Sequence, residues 1–227
     1  MGGVGKKQRF RENDAFPNVI QHTDFESAAD TPAGRWQEDI FGNTNPIVLE
    51  LACGKGEYSN ALAQKYPQYN FIGVDIKGHR IWRGAKTALE QEINNVRYLR
   101  IYIDHLTEFF SVDEVQDIWI TFPDPYLRHR DRKKRLTSPK FLRIYQQILK
   151  KEGNIRLKTD SDRLYNYTQR IADLYNCPIE HKVDDIYREC PHDELLTIKT
   201  YFERMHLKND KTIKFIQFSL PSERIKD

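Results

Sequence analysis

Ile47-Val48-Leu49-Glu50-Leu51-Ala52-Cys53-Gly54-Lys55-Gly56 sets a short apolar run against a pair of glycines. The run is too short for a helix and reads as a buried strand. Gly54 and Gly56 break it, and Tyr58 to Tyr66 has helical character that Pro67 ends. The pattern then repeats. Asn70 to Asp75 is a second strand ending on a carboxylate, and Ile81 to Ile93 an amphipathic helix. Val96 to Ile103 is a third strand with Asp104 at its end, Leu106 to Phe110 a short helix, and Val115 to Phe122 a fourth strand. Ser138 caps a helix that starts at Pro139 and runs to about Lys150. Asn154 to Lys158 is a fifth strand, Asp162 to Tyr175 a helix, and Ile179 to Val183 and Thr212 to Leu220 two closing strands. Strands alternating with helices predict an α/β fold with a mostly parallel, seven-stranded sheet and helices on both faces. The last strands lack a crossover helix between them, which predicts an antiparallel hairpin at one edge.

The 227 residues suit one sizeable core. Residues 35–227 are expected to form a single domain. Residues 1–34 lack a sustained period and are expected to be an extension, part flexible and part laid on the domain, with Lys6, Lys7, Arg9 and Arg11 as a basic arm. Three cysteines without a Cys-x-x-Cys pair argue against a disulfide framework and a structural zinc, and favour a reducing cytoplasm. No apolar run approaches the roughly 20 residues of a membrane span. Met1-Gly2-Gly3 hints at myristoylation, but Lys6 stands where Ser or Thr is wanted.

Acids and glycines cluster at the predicted strand ends. Gly54 and Gly56 let backbone approach a ligand at a helix N-terminus. Asp75 is placed to accept ribose hydroxyls and Asp104 to meet an adenine amino group, so an adenosine cofactor is expected. Ser59 stands where a dinucleotide fold wants a third Gly or Ala, and Glu50 suits a ligand with a cationic amino-acid portion. That combination resembles motif I of Rossmann-like methyltransferases and implies S-adenosylmethionine. A nicotinamide oxidoreductase is the weaker alternative.

Phe122-Pro123-Asp124-Pro125-Tyr126-Leu127-Arg128-His129-Arg130-Asp131-Arg132-Lys133-Lys134-Arg135-Leu136 follows the fourth strand. One carboxylate between two prolines leads into six cations, the footprint of a polyanion binder. This segment resembles the signature of bacterial tRNA (guanine-N(7)-)-methyltransferases. Phe41-Gly42-Asn43, Glu50 to Gly56, Val74-Asp75-Ile76, Lys158-Thr159-Asp160 and Thr200-Tyr201-Phe202-Glu203 match in order, from about Arg35 to Phe218. The resemblance implies a Rossmann-like methyltransferase fold. It implies transfer of a methyl group from S-adenosylmethionine to guanine 46 of tRNA. It assigns Glu50, Asp75, Asp104 and Asp124 to the cofactor, beside the Gly54 and Gly56 turn. Arg128, Asp160 and Thr200, Tyr201, Phe202 and Glu203 go to the substrate, with Arg132, Lys133, Lys134 and Arg135 gripping phosphates.

Asp124 and Asp160 are the candidate catalytic residues, because carboxylates stabilise the positive charge that a methylated guanine gains. Guanine's N7 carries no proton, so no triad and no metal are expected. His129, His181, His192 and His206 are read as surface or packing residues. Ala52, Tyr126, Arg128, Phe202 and Asn209 depart from the family's commoner Gly, Trp, Lys, Tyr and Gly. The expected protein is cytoplasmic, needs no obligate protein partner, and is a monomer or homodimer. A methyltransferase for another substrate and a non-catalytic RNA-binding module remain as alternatives.

Overall fold

A computed structural model describes residues 5–226; the Met1-Gly2-Gly3 reading lies outside them. The chain divides into two compact units, Met1–Phe110 and Ser111–Asp227.

The first unit holds α1 (Lys6–Ala15), β1 (Val19–Gln21), β2 (Ile47–Leu51), α2 (Glu57–Lys65), β3 (Asn70–Val74), α3 (Gly78–Glu90), β4 (Val96–Arg100) and α4 (Leu106–Phe109). Its strands lie in the order β1-β4-β3-β2, and all its pairings are parallel. Every residue of β2 and β3 is buried, which is why both runs read as continuous rather than alternating. In α3 the buried stripe is Ile81, Trp82, Ala85 and Ala88, at helical spacing. That helix begins a turn earlier than predicted. The Lys77 amide donates to Asp75 Oδ1 at 2.9 Å, closing the turn that launches it.

The expected extension is largely built into this unit. Helix α1 packs on α3: the Asn13 side-chain amide donates to Gly78 O at 2.8 Å, and Trp82 Nε1 donates to Glu12 Oε2 at 2.6 Å. β1 then adds a strand beside β4. The described residues therefore carry eight strands where seven were expected. Three residues are too few to show a period in sequence. Trp36 has no exposed surface, stacks on Phe110 at 5.2 Å, and donates to Phe109 O at 2.6 Å.

The second unit holds β5 (Val115–Thr121), α5 (Pro139–Ile148), β6 (Leu149–Thr159), α6 (Asp162–Leu174), β7 (Ile179–Val183), α7 (Ile186–Glu189), α8 (Tyr201–Leu207) and β8 (Lys214–Ser219). The strands lie in the order β5-β6-β8-β7; β5 and β6 are parallel, and β8 runs antiparallel to both neighbours. The antiparallel edge is as predicted. Helix α8 was not predicted as an element. Among the described residues no helix is long and apolar enough to cross a membrane.

Candidate active site

In the first unit the turn after β2 places every other residue in the left-handed region. Ala52, Gly54 and Gly56 have φ of 57°, 57° and 64°. Such angles cost a side-chain-bearing residue about 1–2 kcal/mol. This explains why glycine is the commoner residue at position 52 of the resembled motif. The turn is closed by hydrogen bonds. Gly54 N donates to Asp75 Oδ2 at 3.0 Å, Cys53 N to Val74 O at 3.2 Å, and Gly56 N to Cys53 O at 2.9 Å. Asp75 therefore ties the glycine turn to the tip of β3.

The two glycines do different work. A Cβ on Gly54 would meet only Ala52 O, at 3.9 Å, so the turn is open there. A Cβ on Gly56 would lie 2.2 Å from Tyr98 Oη. Gly56 is thus required by packing under the turn. Tyr98 fills the space beneath it, donating its one hydroxyl proton to Asn60 Oδ1 at 2.7 Å, with Gly56 O 3.1 Å from the same oxygen. No sequence period distinguished Tyr98 from any other aromatic strand residue.

Glu50 is buried, and its Oε2 accepts from Ser59 N at 2.9 Å and from the Ser59 hydroxyl. Ser59, read only as a departure from a dinucleotide motif, is the residue that orients Glu50. Both acids act on the space between them. The buried Cys53 thiol is pushed well above its usual range, by burial first and then by the charges of Asp75 and Glu50. A region where two carboxylates resist a further negative charge favours a cation. The open backbone at Gly54 and this negative field fit S-adenosylmethionine, which carries an ammonium and a sulfonium. Asp104 is placed differently from the expectation. β4 stops at Arg100, and Asp104 sits exposed on a short 3-10 turn, Ile103–His105.

In the second unit the Pro123-Asp124-Pro125 turn is flanked by two aromatic residues in the left-handed region, Phe122 (φ 48°) and Tyr126 (φ 43°). Bulky residues rarely adopt that conformation, and such strain concentrates at functional turns. Phe122 N donates to Lys158 O at 2.8 Å, anchoring the turn to β6. Asp124 is exposed at its apex. The Tyr126 phenol is raised above its ordinary range by burial foremost, then by the Asp124 charge.

Arg135 corrects one expectation. It is 4% exposed. Its guanidinium donates to Pro125 O at 3.0 Å and to Tyr126 O at 2.8 Å, and lies 4.3 Å from the Tyr167 ring centroid. Its donors clamp the acidic turn and do not face solvent phosphates. Arg128, Arg132, Lys133 and Lys134 are exposed around the 3-10 helix His129–Lys134.

Thr200 and Glu203 are engaged within the protein likewise. They form a capping box at the start of α8. Glu203 has no exposed surface; its carboxylate pairs with Lys158 Nζ at 2.8 Å and accepts from Tyr187 Oη at 2.7 Å. These two residues secure α8, and the T-x-x-E spacing was itself a helix-start signal. Tyr201 and Phe202 between them are 44% and 36% exposed, with ring centroids 5.6 Å apart. At the far end of α8, His206 Nδ1 is 3.3 Å from Asp160 Oδ2, and its ring stacks on Phe122 at 5.7 Å. Lys211 Nζ reaches the same Oδ2 at 2.5 Å. His206, read as a packing residue, links Asp160 to the head of the acidic turn.

A glycine turn after β2, with an acid inside that strand and another at the tip of β3, is the arrangement of a Rossmann-like methyltransferase. Solved structures share the fold. A 16S rRNA methyltransferase, KamB, is 13% identical with a TM-score of 0.62, covering 81% of this chain and 92% of that one. A SAM-dependent methyltransferase from Aquifex aeolicus is 11% identical with a TM-score of 0.55, covering 96% and 100%. The family described as "Putative methyltransferase" matches residues 44–216. Curated relatives are more specific. The tRNA (guanine-N(7)-)-methyltransferase of Christiangramia forsetii is 44% identical, covering 97% of this chain and 100% of its own length. That of Porphyromonas gingivalis is also 44% identical, covering 91% and 86%. The chain belongs to the tRNA (guanine-N(7)-)-methyltransferase family.

Proposed function

We propose that this protein transfers a methyl group from S-adenosylmethionine to N7 of guanine in tRNA, at position 46, forming 7-methylguanosine. The observation that carries this reading is the 44% identity to a curated tRNA (guanine-N(7)-)-methyltransferase along that relative's whole length. The geometry of each unit supports it.

When bound, S-adenosylmethionine supplies an electrophilic methyl on a sulfonium. Glu50 and Asp75 hold the cationic and ribose portions of such a donor, and Gly54 offers uncluttered backbone. The acceptor nitrogen has a lone pair and no proton, so no side chain must first act as a base. The chain's task is alignment, which by itself can supply about 7–11 kcal/mol of barrier reduction. Asp124 and Asp160 stabilise the positive charge that develops on the purine. Asp160 is held for this by His206 and Lys211, both on Oδ2. Asp104 contributes to the adenine end. Arg128, Arg132, Lys133 and Lys134 engage phosphates, and exposed Tyr201 and Phe202 offer stacking surfaces for a base. The protein works in the cytoplasm, as a monomer or homodimer, without an obligate protein partner.

Incubation of the purified protein with labelled S-adenosylmethionine and total tRNA, followed by nucleoside analysis, tests the reading. Label in 7-methylguanosine at position 46 is expected. Label confined to another nucleoside, or none in RNA, would overturn it.

A further inference from the structure

The cations of residues 6–11 do not form a free arm. α1 is fastened to α3 where α3 leaves Asp75. A Cβ on Gly78 would lie 2.7 Å from the Phe10 ring, so the two elements touch at a glycine. Arg9 lies 4.8 Å and Lys86 5.2 Å from the Trp82 ring centroid, while Glu12 takes the indole N–H. Glu12 and Asp14 are the acids of α1, and both are engaged: Glu12 with Trp82 and Gln8, Asp14 with Gln21. Around this seam Lys6, Lys7, Arg11, Lys77 and Arg83 are exposed, and Arg80 half-buried. His79 reports the resulting field. Its imidazole is lowered from 6.5, by burial first and then by Lys6, Arg80 and Arg9, with Asp75 acting in the opposite sense. The seam thus begins next to the acid assigned to the donor ribose.

We infer that the α1–α3 seam is a preorganised binding face for the RNA phosphate backbone, a second tRNA contact besides the basic segment after Asp124. The inference rests on the proposed tRNA reading. Cations carried on packed helices lose less backbone freedom on binding than cations on a flexible tail. Their placement beside Asp75 lets the same RNA contact both the seam and the surroundings of the donor. Lys6, Arg80 and Arg83 carry the contact, and α1 serves as its scaffold.

The test compares wild-type protein with Lys6→Ala/Arg80→Ala/Arg83→Ala. Each lost phosphate contact lowers the slope of log affinity against log salt by about 0.7–0.9, the range from single strands to duplex DNA. The triple variant is expected to bind tRNA roughly tenfold more weakly at 0.1 M salt, with a slope smaller by about 2–3. S-adenosylmethionine affinity and kcat at saturating tRNA stay unchanged. In wild type, tRNA should also raise the titration midpoint of His79, followed by NMR, because phosphate offsets the cations that depress it. Unchanged tRNA affinity and salt slope in a variant with normal donor affinity would overturn the inference, even though the wild type methylates tRNA. So would binding to anionic phosphatidylglycerol vesicles that the substitutions abolish while tRNA affinity stays. Failure of the wild type to bind or methylate tRNA at all would instead sink the underlying reading, and with it this one. If the triple variant unfolds, the His79 titration in wild type decides: a midpoint indifferent to tRNA refutes the seam.

Discussion

Lys158 Nζ lies 2.8 Å from Glu203 Oε1 and 2.9 Å from Glu203 Oε2, and neither side chain has any exposed surface. Lys158 also donates to Ile198 O at 2.9 Å. The pair joins β6, which carries Asp160 at its end, to α8, which carries His206. Burial lowers the proton affinity of Lys158, and Glu203 opposes that effect.

Removing one partner strands the other charge in the interior. Glu203→Ala should cost about 3–5 kcal/mol. Lys158→Met/Glu203→Leu should recover much of it, because a buried pair is commonly replaceable by packed apolar groups. Urea denaturation of Lys158→Met, Glu203→Leu and the double variant gives the coupling. A Glu203→Ala protein within 1 kcal/mol of wild type would contradict the anchoring role.

Gly56 and Gly54 should respond differently to alanine. At Gly56 the added methyl meets Tyr98, so Gly56→Ala should destabilise by about 2–3 kcal/mol from overpacking together with left-handed strain. At Gly54 the strain alone should cost about 1 kcal/mol, and the methyl projects into open space, so the larger effect is on donor affinity. Calorimetric titration with S-adenosylmethionine beside thermal melts separates the two. Equal losses of stability would show that the contact with Tyr98 does not decide.

Asp124→Asn should keep the fold, since the side chain is exposed, and cut kcat by about 10²-fold or more. Single-turnover methylation at saturating donor and tRNA reads this directly. Near-normal turnover would remove Asp124 from the chemistry.

Arg135→Ala and Lys133→Ala should have opposite signatures. The first removes the clamp on Pro125 and Tyr126 and should lower stability by about 2–3 kcal/mol. The second should leave stability within about 0.5 kcal/mol and weaken tRNA binding with a shallower salt dependence. A stable Arg135→Ala protein whose only defect is in tRNA affinity would restore the phosphate role.

Burial pushes the Cys177 thiol from 9.0 up to about 11. Its folded pKa is therefore above its unfolded one. Below pH 9 both states keep the proton and stability is unaffected. Between pH 9 and 11 the unfolded chain ionises first, so stability falls as pH rises. Urea midpoints at pH 8 and pH 10.5 should differ more in wild type than in Cys177→Ala. An equal pH dependence in the two proteins would remove Cys177 as a contributor.

The α/β alternation was legible because β2, β3 and β5 are short apolar runs between turn-forming residues. Their buried surroundings demand that composition. The acid of the glycine motif, Glu50, and the Asp75 carboxylate were legible because each ends or nearly ends such a run. Helix α1 was not legible. Its buried contacts are one polar side chain, Asn13, and the edge of Phe10, so no apolar stripe marks it. α8 was concealed for a related reason: its inward anchor is a charged residue, Glu203, whose burial makes sense only with Lys158 opposite.

Composition and order alone determined that strands and helices alternate, that acids gather at strand ends, and that a proline-bound carboxylate leads into a basic segment. These are local facts, written in residues near one another in the chain. Tertiary structure alone decided which charges face solvent. Arg135 and Glu203 turn inward while Arg132 and Lys133 do not, because a charged group can be buried only where folding brings a partner to take up its hydrogen bonds. Pairings such as Lys158 with Glu203, or Gly56 with Tyr98, span more than forty residues and exist only once the chain has folded.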